Sequence, residues 1–183
     1  MEILTTSVAL IIAILLQWTI RQFAPPLAFI DFPLIVIVYV ALQRDAFRAL
    51  LYATIGGLAV DAISSGLLGA GGFSKTLTAF VVVEIARRVL LVDNPLLRIP
   101  VLAGATLLED TVYFGMNRML GQAPNTAFVE TLAYSVIGTT ITGTIIMLIL
   151  ENFFSERARQ RRSFSPRRSS ALRRSPIKLG RRA

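Results

Sequence analysis

Apolar residues in this chain come in long runs, at residues 3–20, 27–42, 49–63, 75–91, 99–116 and 128–150, separated by short segments that collect proline, glycine and charge. A helix needs roughly 17 to 25 mostly apolar residues to cross a bilayer. The first run meets that with Thr5, Thr6, Ser7, Gln17 and Thr19 as its polar interruptions. A cleaved signal peptide wants a basic start and a small-residue cleavage site, whereas this run has Glu2 before it and Arg21-Gln22-Phe23-Ala24-Pro25-Pro26 after it, so a retained helix is expected. The second run carries Asp31 and Pro33 near its start, and proline suits a first helical turn. A short helix, tilted or half-sunk, is expected from about Pro33.

Gln43-Arg44-Asp45-Ala46-Phe47-Arg48 reads as a polar turn, and the third run contains Gly56-Gly57 and ends near Asp61. Glycines 66, 69, 71 and 72 follow closely. Each costs about 1 kcal/mol against alanine in a helix, so this stretch is expected to be a loop of tight turns, with Ser74 capping a fourth helix that starts at Lys75. Pro100 opens the fifth helix, and Gly121-Gln122-Ala123-Pro124-Asn125 is the turn signal before the sixth. The expected fold is an all-α polytopic membrane protein, six transmembrane helices in a compact bundle over residues 1–154.

Charge changes this picture at one end. The 183 residues are 54% hydrophobic and 16% charged, against about 25% charged in a soluble domain. Of 19 Lys+Arg and 11 Asp+Glu, residues 155–183 hold 11 basic residues and one acid, Glu156. The chain is thus a nearly neutral apolar body with a basic tail. Composition gives that tail too few apolar residues to fold alone, so 155–183 is expected to be disordered. Its Arg157, Arg159, Arg161, Arg162, Arg167, Arg168, Arg173 and Arg174 suit anionic lipid headgroups at about 1 kcal/mol per basic residue near the surface. Nucleic acid is not an expected partner, because Phe164 is the sole aromatic for stacking.

Orientation follows from Lys and Arg. An even number of spans puts both termini on the side that collects Arg44, Arg48, Arg87, Arg88, Arg98 and the tail, leaving Arg21, Lys75 and Arg118 opposite. Both termini are expected in the cytoplasm. The absence of cysteine and histidine removes disulfides, thiolate and imidazole metal ligands and Ser-His-Asp chemistry. Neither a GxxxxGK[ST] phosphate loop nor a GxGxxG fingerprint is present. No cofactor, metal or catalytic residue is assigned.

Ionisable residues inside a span need a reason, since insertion of one at the helix centre costs roughly 2.5 to 3.5 kcal/mol. Glu84 has one in Arg87 and Arg88, three and four residues on. Glu109-Asp110 lies mid-span with no basic residue in helical reach, and adjacent acids point about 100° apart. At least one is expected to face the bundle interior, fixing packing or meeting a partner. Asp61 is expected to cap backbone donors around Ser64 and Ser65. In the sixth run Ser135, Gly138, Thr139, Thr142 and Gly143 form one stripe of small residues; Ala9 and Ala13 do so more weakly in the first. Such stripes let helix backbones approach in lipid, inside one chain or between two.

The stretch from Asp31-Phe32-Pro33-Leu34 to Tyr39-Val40-Ala41-Leu42-Gln43-Arg44, followed by Gly56-Gly57-Leu58-Ala59-Val60-Asp61-Ala62-Ile63-Ser64-Ser65-Gly66-Leu67-Leu68-Gly69, resembles the MreD family of bacterial rod shape-determining membrane proteins. Asp61, Ser65, Gly66, Leu68 and Gly69 align with that family's Gly-rich loop, and Asp110 looks like its aspartate within the fifth helix. The resemblance covers about residues 1–152, and the basic tail departs from it. It implies a non-enzymatic scaffold in the bacterial cytoplasmic membrane that binds MreC and helps couple MreB filaments to the peptidoglycan polymerase and transpeptidase. It also implies partner contacts near Asp61 and its loop. A rival likeness is to the six-helix substrate-binding components of energy-coupling-factor transporters, which have similar size, topology and an AxxxA pattern like Ala9 to Ala13. A vitamin site there would draw on Trp18, Asp31, Asn117, Arg118 and Asn125. An intramembrane enzyme would have Ser64, Ser65 and Asp61 alone to work with.

Overall fold

The computed structural model of the chain describes residues 2–23, 29–64, 67–88, 97–121 and 128–163, with backbone alone for 2 and 150–163. These residues form six helices: α1 (Glu2–Phe23), α2 (Phe32–Leu42), α3 (Ala46–Ser64), α4 (Ala70–Arg88), α5 (Arg98–Met119) and α6 (Phe128–Ser163). The chain divides into two units, Met1–Leu148 and Ile149–Ala183. The first holds the bundle; the second begins inside α6. The helix assignment runs to Ser163, so it takes in the first nine residues of the segment expected to be a disordered tail.

The core of the bundle is α2. It is apolar all round, and nine of its 11 residues are buried, among them Leu34, Ile35, Ile37 and Val38. A helix hydrophobic on every face has no solvent side to present and belongs in an interior. It packs against α1, α3, α4 and α5, while Ile35 meets Gly143 of α6. The short, half-sunk helix expected from about Pro33 is the one that forms: 11 residues give about 16 Å of helix, half of a hydrocarbon core of about 30 Å, so α2 does not use the whole run 27–42. Its start is fixed by Asp31, whose Oδ1 accepts from the Leu34 amide at 2.9 Å while Pro33 fills the first turn, where no amide is needed.

Helix direction follows from side-chain bonds at the ends. The Tyr52 hydroxyl, early in α3, bonds Ser7 at 2.9 Å and donates to the carbonyl of Ile3 at 3.2 Å, both early in α1. Arg21 donates to Ser64 at the far ends of the same two helices, so α1 and α3 run parallel. Arg87 in the last turn of α4 donates to the carbonyl of Arg44, just after α2. One end of the bundle therefore gathers Arg44, Arg48, Arg87, Arg88 and Arg98. The Glu84–Arg88 ion pair expected from the sequence forms there at 2.6 Å.

The Gly-rich stretch is not all loop. Helix α4 starts at Ala70, with Gly71 and Gly72 in its first turn, five residues before the expected start at Lys75. The glycine penalty is offset by close approach: a Cβ on Gly57 of α3 would lie 2.5 Å from the Cα of Gly72. Backbones that close gain the dispersion contact that drives helix association in lipid. Gly69, at φ +99°, makes the turn that admits this geometry. Ser74 is not the cap; it sits inside α4, donating to Gly71 O and to Glu109.

Among the described residues three helices are long and apolar enough to cross a membrane: Ile3–Phe23, Ala46–Ser64 and Phe128–Ile149. Their outward faces are large aliphatic side chains, such as Ile11, Leu15, Ile55, Ile137, Ile141 and Ile145. A contiguous apolar exterior of that extent is lipid-facing surface, not the surface of a water-soluble domain.

Candidate functional site

At the end of the bundle opposite the arginines, one polar cluster ties together side chains from all six helices. Its centre is Lys75 of α4, 3% exposed, whose Nζ donates to Asp31 Oδ2 at 2.5 Å and to Glu109 Oε1 at 2.8 Å. Glu109 on α5 also accepts from Ser74 Oγ at 3.1 Å. Asp31 uses its other carboxylate oxygen to cap α2, and its amide donates to Thr139 Oγ1 of α6 at 3.1 Å. Gln17 of α1 joins from the other side, its Oε1 accepting the Phe32 amide at 3.0 Å. Gln17 stands six residues, about 9 Å of helix, before the end of α1, so the cluster lies well below that end.

Asp61 supplies the link from α3. Its carboxylate accepts the amides of Gly69 at 2.9 Å, Gly71 at 3.1 Å and Gly72 at 3.1 Å. The acid thus caps as expected, but on a different target. Its partners are the first amides of α4, not donors around Ser64. A carboxylate is poorly placed at the C-terminus of its own helix, and the N-terminal dipole of α4 compensates. Gly71 must be glycine, because any Cβ there would run into the Asp61 carboxylate. Ser65 and Gly66 lie outside the described residues.

Glu109 and Asp110 diverge as their adjacency requires. Glu109 turns to Lys75, a partner 34 residues away that helical spacing within α5 could not reveal. Asp110 lines the cavity beside Ser135 of α6. Its Oδ2 is buried with no hydrogen-bond partner among the described residues, as are Thr78 Oγ1 and Thr140 Oγ1. The small-residue stripe of α6 faces inward: Ser135 and Thr139 are buried, Gly138 lies against Ile30, and Gly143 lies against Leu102 and Ile35. Thr142 is half-buried on the same face. The stripe serves packing within this chain, and the docking-face reading of it is set aside.

The groups of this cluster surround a cavity of about 210 Å³, open at this end of the bundle and lined by Arg21, Asp31, Asp61, Lys75, Glu109 and Asp110, with Phe29, Tyr113 and Phe114 as an aromatic wall. Among the described residues no group of three or more His, Cys, Asp or Glu could hold a metal ion. Sequence reasoning placed Lys75 among the residues of the outer side and left Gln17 without a role. The available signal was that Lys75 is the sole lysine before the tail, at the head of a long apolar run. Of the groups weighed for a vitamin site, Asp31 lines this cavity, Trp18 and Arg118 do not, Asn117 is bonded to the Tyr113 carbonyl of its own helix, and Asn125 lies outside the described residues. Arg157, Arg159, Arg161 and Arg162 fall within the helical extent of α6 with no side chains described; Arg167, Arg168, Arg173 and Arg174 lie outside the described residues. Comparison with protein-family models, curated proteins and solved structures finds no match to this chain.

Replacing Asp61 separates its capping role from general polarity. Asp61→Ala strands three amides at a buried helix start and is expected to cost about 2 kcal/mol or more. Asp61→Asn, with one acceptor oxygen, is expected to lose about half as much. Thermal unfolding of the detergent-purified protein reads both, and a melting temperature unchanged in Asp61→Ala contradicts the assignment.

Proposed function

We propose that this chain is a non-enzymatic scaffold of the bacterial cell-elongation complex, a six-span protein of the cytoplasmic membrane that binds MreC and helps couple MreB filaments to peptidoglycan synthesis. One observation carries the reading: a set of interior polar side chains joins one helix to the next. Lys75, Asp31, Glu109, Ser74, Asp61 and Gln17 each bond an element other than their own, which is what a rigid partner platform needs, and among the described residues these bonds leave no activated nucleophile. The resemblance of the Asp61 to Gly69 segment to rod shape-determining membrane proteins supplies the particular complex.

The topology fits that role. Helices α4 and α5, at 19 and 22 residues, are about 28 and 33 Å long, enough for a core of about 30 Å. Lys75 of α4 and Glu109 of α5 are paired with each other inside the bundle, as lipid requires. Helix α2 completes the return pass between the parallel α1 and α3, running from the sunken floor of the polar cavity to the arginine end. The positive-inside bias then puts that end, both termini and the basic tail in the cytoplasm, with the tail on anionic headgroups. The partner surface lies on the outer side, near Asp61 and the turn at Gly69.

The cavity favours a second reading, the substrate-binding component of a small-molecule transporter. Its central groups, Asp31, Lys75 and Glu109, are already bonded to one another, which weighs toward the scaffold.

Mild-detergent capture of the tagged protein from its native membrane is expected to recover MreC with a peptidoglycan polymerase and transpeptidase. Recovery of a transmembrane coupling subunit with ATPases instead overturns the scaffold reading. The chain has no cysteine, so single introduced cysteines map the topology. A membrane-impermeant maleimide applied from outside is expected to label Met119→Cys, and to label Gln43→Cys after permeabilisation alone. Equal labelling of the two from outside contradicts the orientation.

A further inference from the structure

The polar cavity does not end at the bundle. A second cavity of about 220 Å³ adjoins it between α1 and α3 and shares Gln17, Arg21, Val60 and Ser64 with it. The rest of that groove is Ile14, Trp18, Gln22 and Ile63, of which Trp18 and Ile63 are 47% and 42% exposed on the apolar exterior. Those four shared residues stand between the two cavities, so Arg21 lies at the junction of the lipid-facing groove and the acidic cavity. Three chemistries lie across that junction in a fixed order. The groove is apolar at its lipid side. At the junction stands Arg21, whose one bond among the described residues, to Ser64, leaves most of its five N–H donors for an anion. Inside are Asp110, with the buried and unpartnered Oδ2, and the ring faces of Phe29, Tyr113 and Phe114.

We propose that the groove and cavity together hold a phospholipid whose headgroup carries a phosphate and a primary ammonium, with phosphate on Arg21, ammonium on Asp110 and acyl chains along Ile14, Trp18 and Ile63. The order apolar, cation, anion in the protein is complementary to acyl chain, phosphate, ammonium in such a lipid. A buried carboxylate oxygen without a donor carries a desolvation penalty that an N–H removes. A primary ammonium brings three such donors, and a quaternary one brings none. The aromatic wall adds attraction for either cation, so the choice between them rests on Asp110. Arg21 sits near the end of α1, where headgroups lie, and Trp18 one turn below it is at the depth favoured by interfacial aromatics. The inference needs the chain to be in a bilayer with this end at headgroup level, and it is independent of which proteins the chain binds.

The test is native mass spectrometry of the full-length protein in detergent, titrated with lipids of identical acyl chains: phosphatidylethanolamine, its N-methyl and N,N-dimethyl derivatives, phosphatidylcholine and phosphatidylglycerol. Phosphatidylethanolamine is expected to bind about tenfold or more tightly than phosphatidylcholine or phosphatidylglycerol, with affinity falling as each N–H is replaced. Asp110→Asn is expected to lower phosphatidylethanolamine to the level of phosphatidylcholine, and Arg21→Gln to weaken both. Equal binding of phosphatidylethanolamine and phosphatidylcholine overturns the proposal, as does equally tight phosphatidylglycerol, which needs the phosphate alone. Displacement of the lipid by an equal concentration of soluble phosphoethanolamine overturns the lipid source. The methylation series uses the unaltered protein, so the outcome stands even if a variant fails to fold.

Discussion

Lys75 is held between Asp31 and Glu109 in the interior of an otherwise apolar bundle, and the arrangement of the other helices depends on that contact. An ammonium so placed cannot stay charged without anionic partners, and two carboxylates cannot stay close without a cation between them. The three groups come from α4, α2 and α5, so satisfying them sets the relative depth of three helices at once. From Asp31 the constraint passes to the start of α2 and to Thr139 of α6; from Phe32 it passes to Gln17 of α1. Asp61 does the same for α3 by holding the first turn of α4. Apolar packing in lipid is weakly directional, because lipid tails are as apolar as leucine. The polar bonds supply the register that packing alone leaves loose.

This division of labour produces a molecule with two unlike ends. One end of the bundle carries Arg44, Arg48, Arg87, Arg88 and Arg98 on its turns. The other sinks its charges into a cavity where acids outnumber bases, with Asp31, Asp61, Glu109 and Asp110 against Arg21 and Lys75. In the proposed orientation the first end meets the cytoplasm and anionic lipid, and the second offers a shaped acidic depression on the outer side. The bonds of Lys75 and Asp61 across helices hold the walls of that depression in place.

Much of this was legible in the sequence. Six helices, the start of α2 at Asp31 and Pro33, the Glu84 pair and the existence of a small-residue stripe from Ser135 to Gly143 all arise from local spacing or composition; the direction in which the stripe faces does not. What escaped was non-local. The start of α4 was placed too late because each glycine was weighed as a cost to its own helix. The close approach of Gly57 to Gly72 and the capture of three amides by Asp61 become visible only when α3 and α4 are set side by side. Glu109 looked unpaired because its cation stands on another helix. Likewise the second apolar run was legible as a short helix from about Pro33, but its burial on every face follows from being surrounded, which a linear pattern does not encode.

The most direct measurement is the thermal stability, in detergent, of Lys75→Met alone and combined with Asp31→Asn and Glu109→Gln. Removing the cation alone leaves the buried Glu109 and the half-buried Asp31 without compensation, and a loss of about 3–5 kcal/mol is predicted. The triple variant removes the charges together and is predicted to recover most of that loss, because what the bundle requires at this point is mutual satisfaction, not charge. A Lys75→Met protein as stable as the unaltered chain, or a triple variant no more stable than Lys75→Met, would contradict the account.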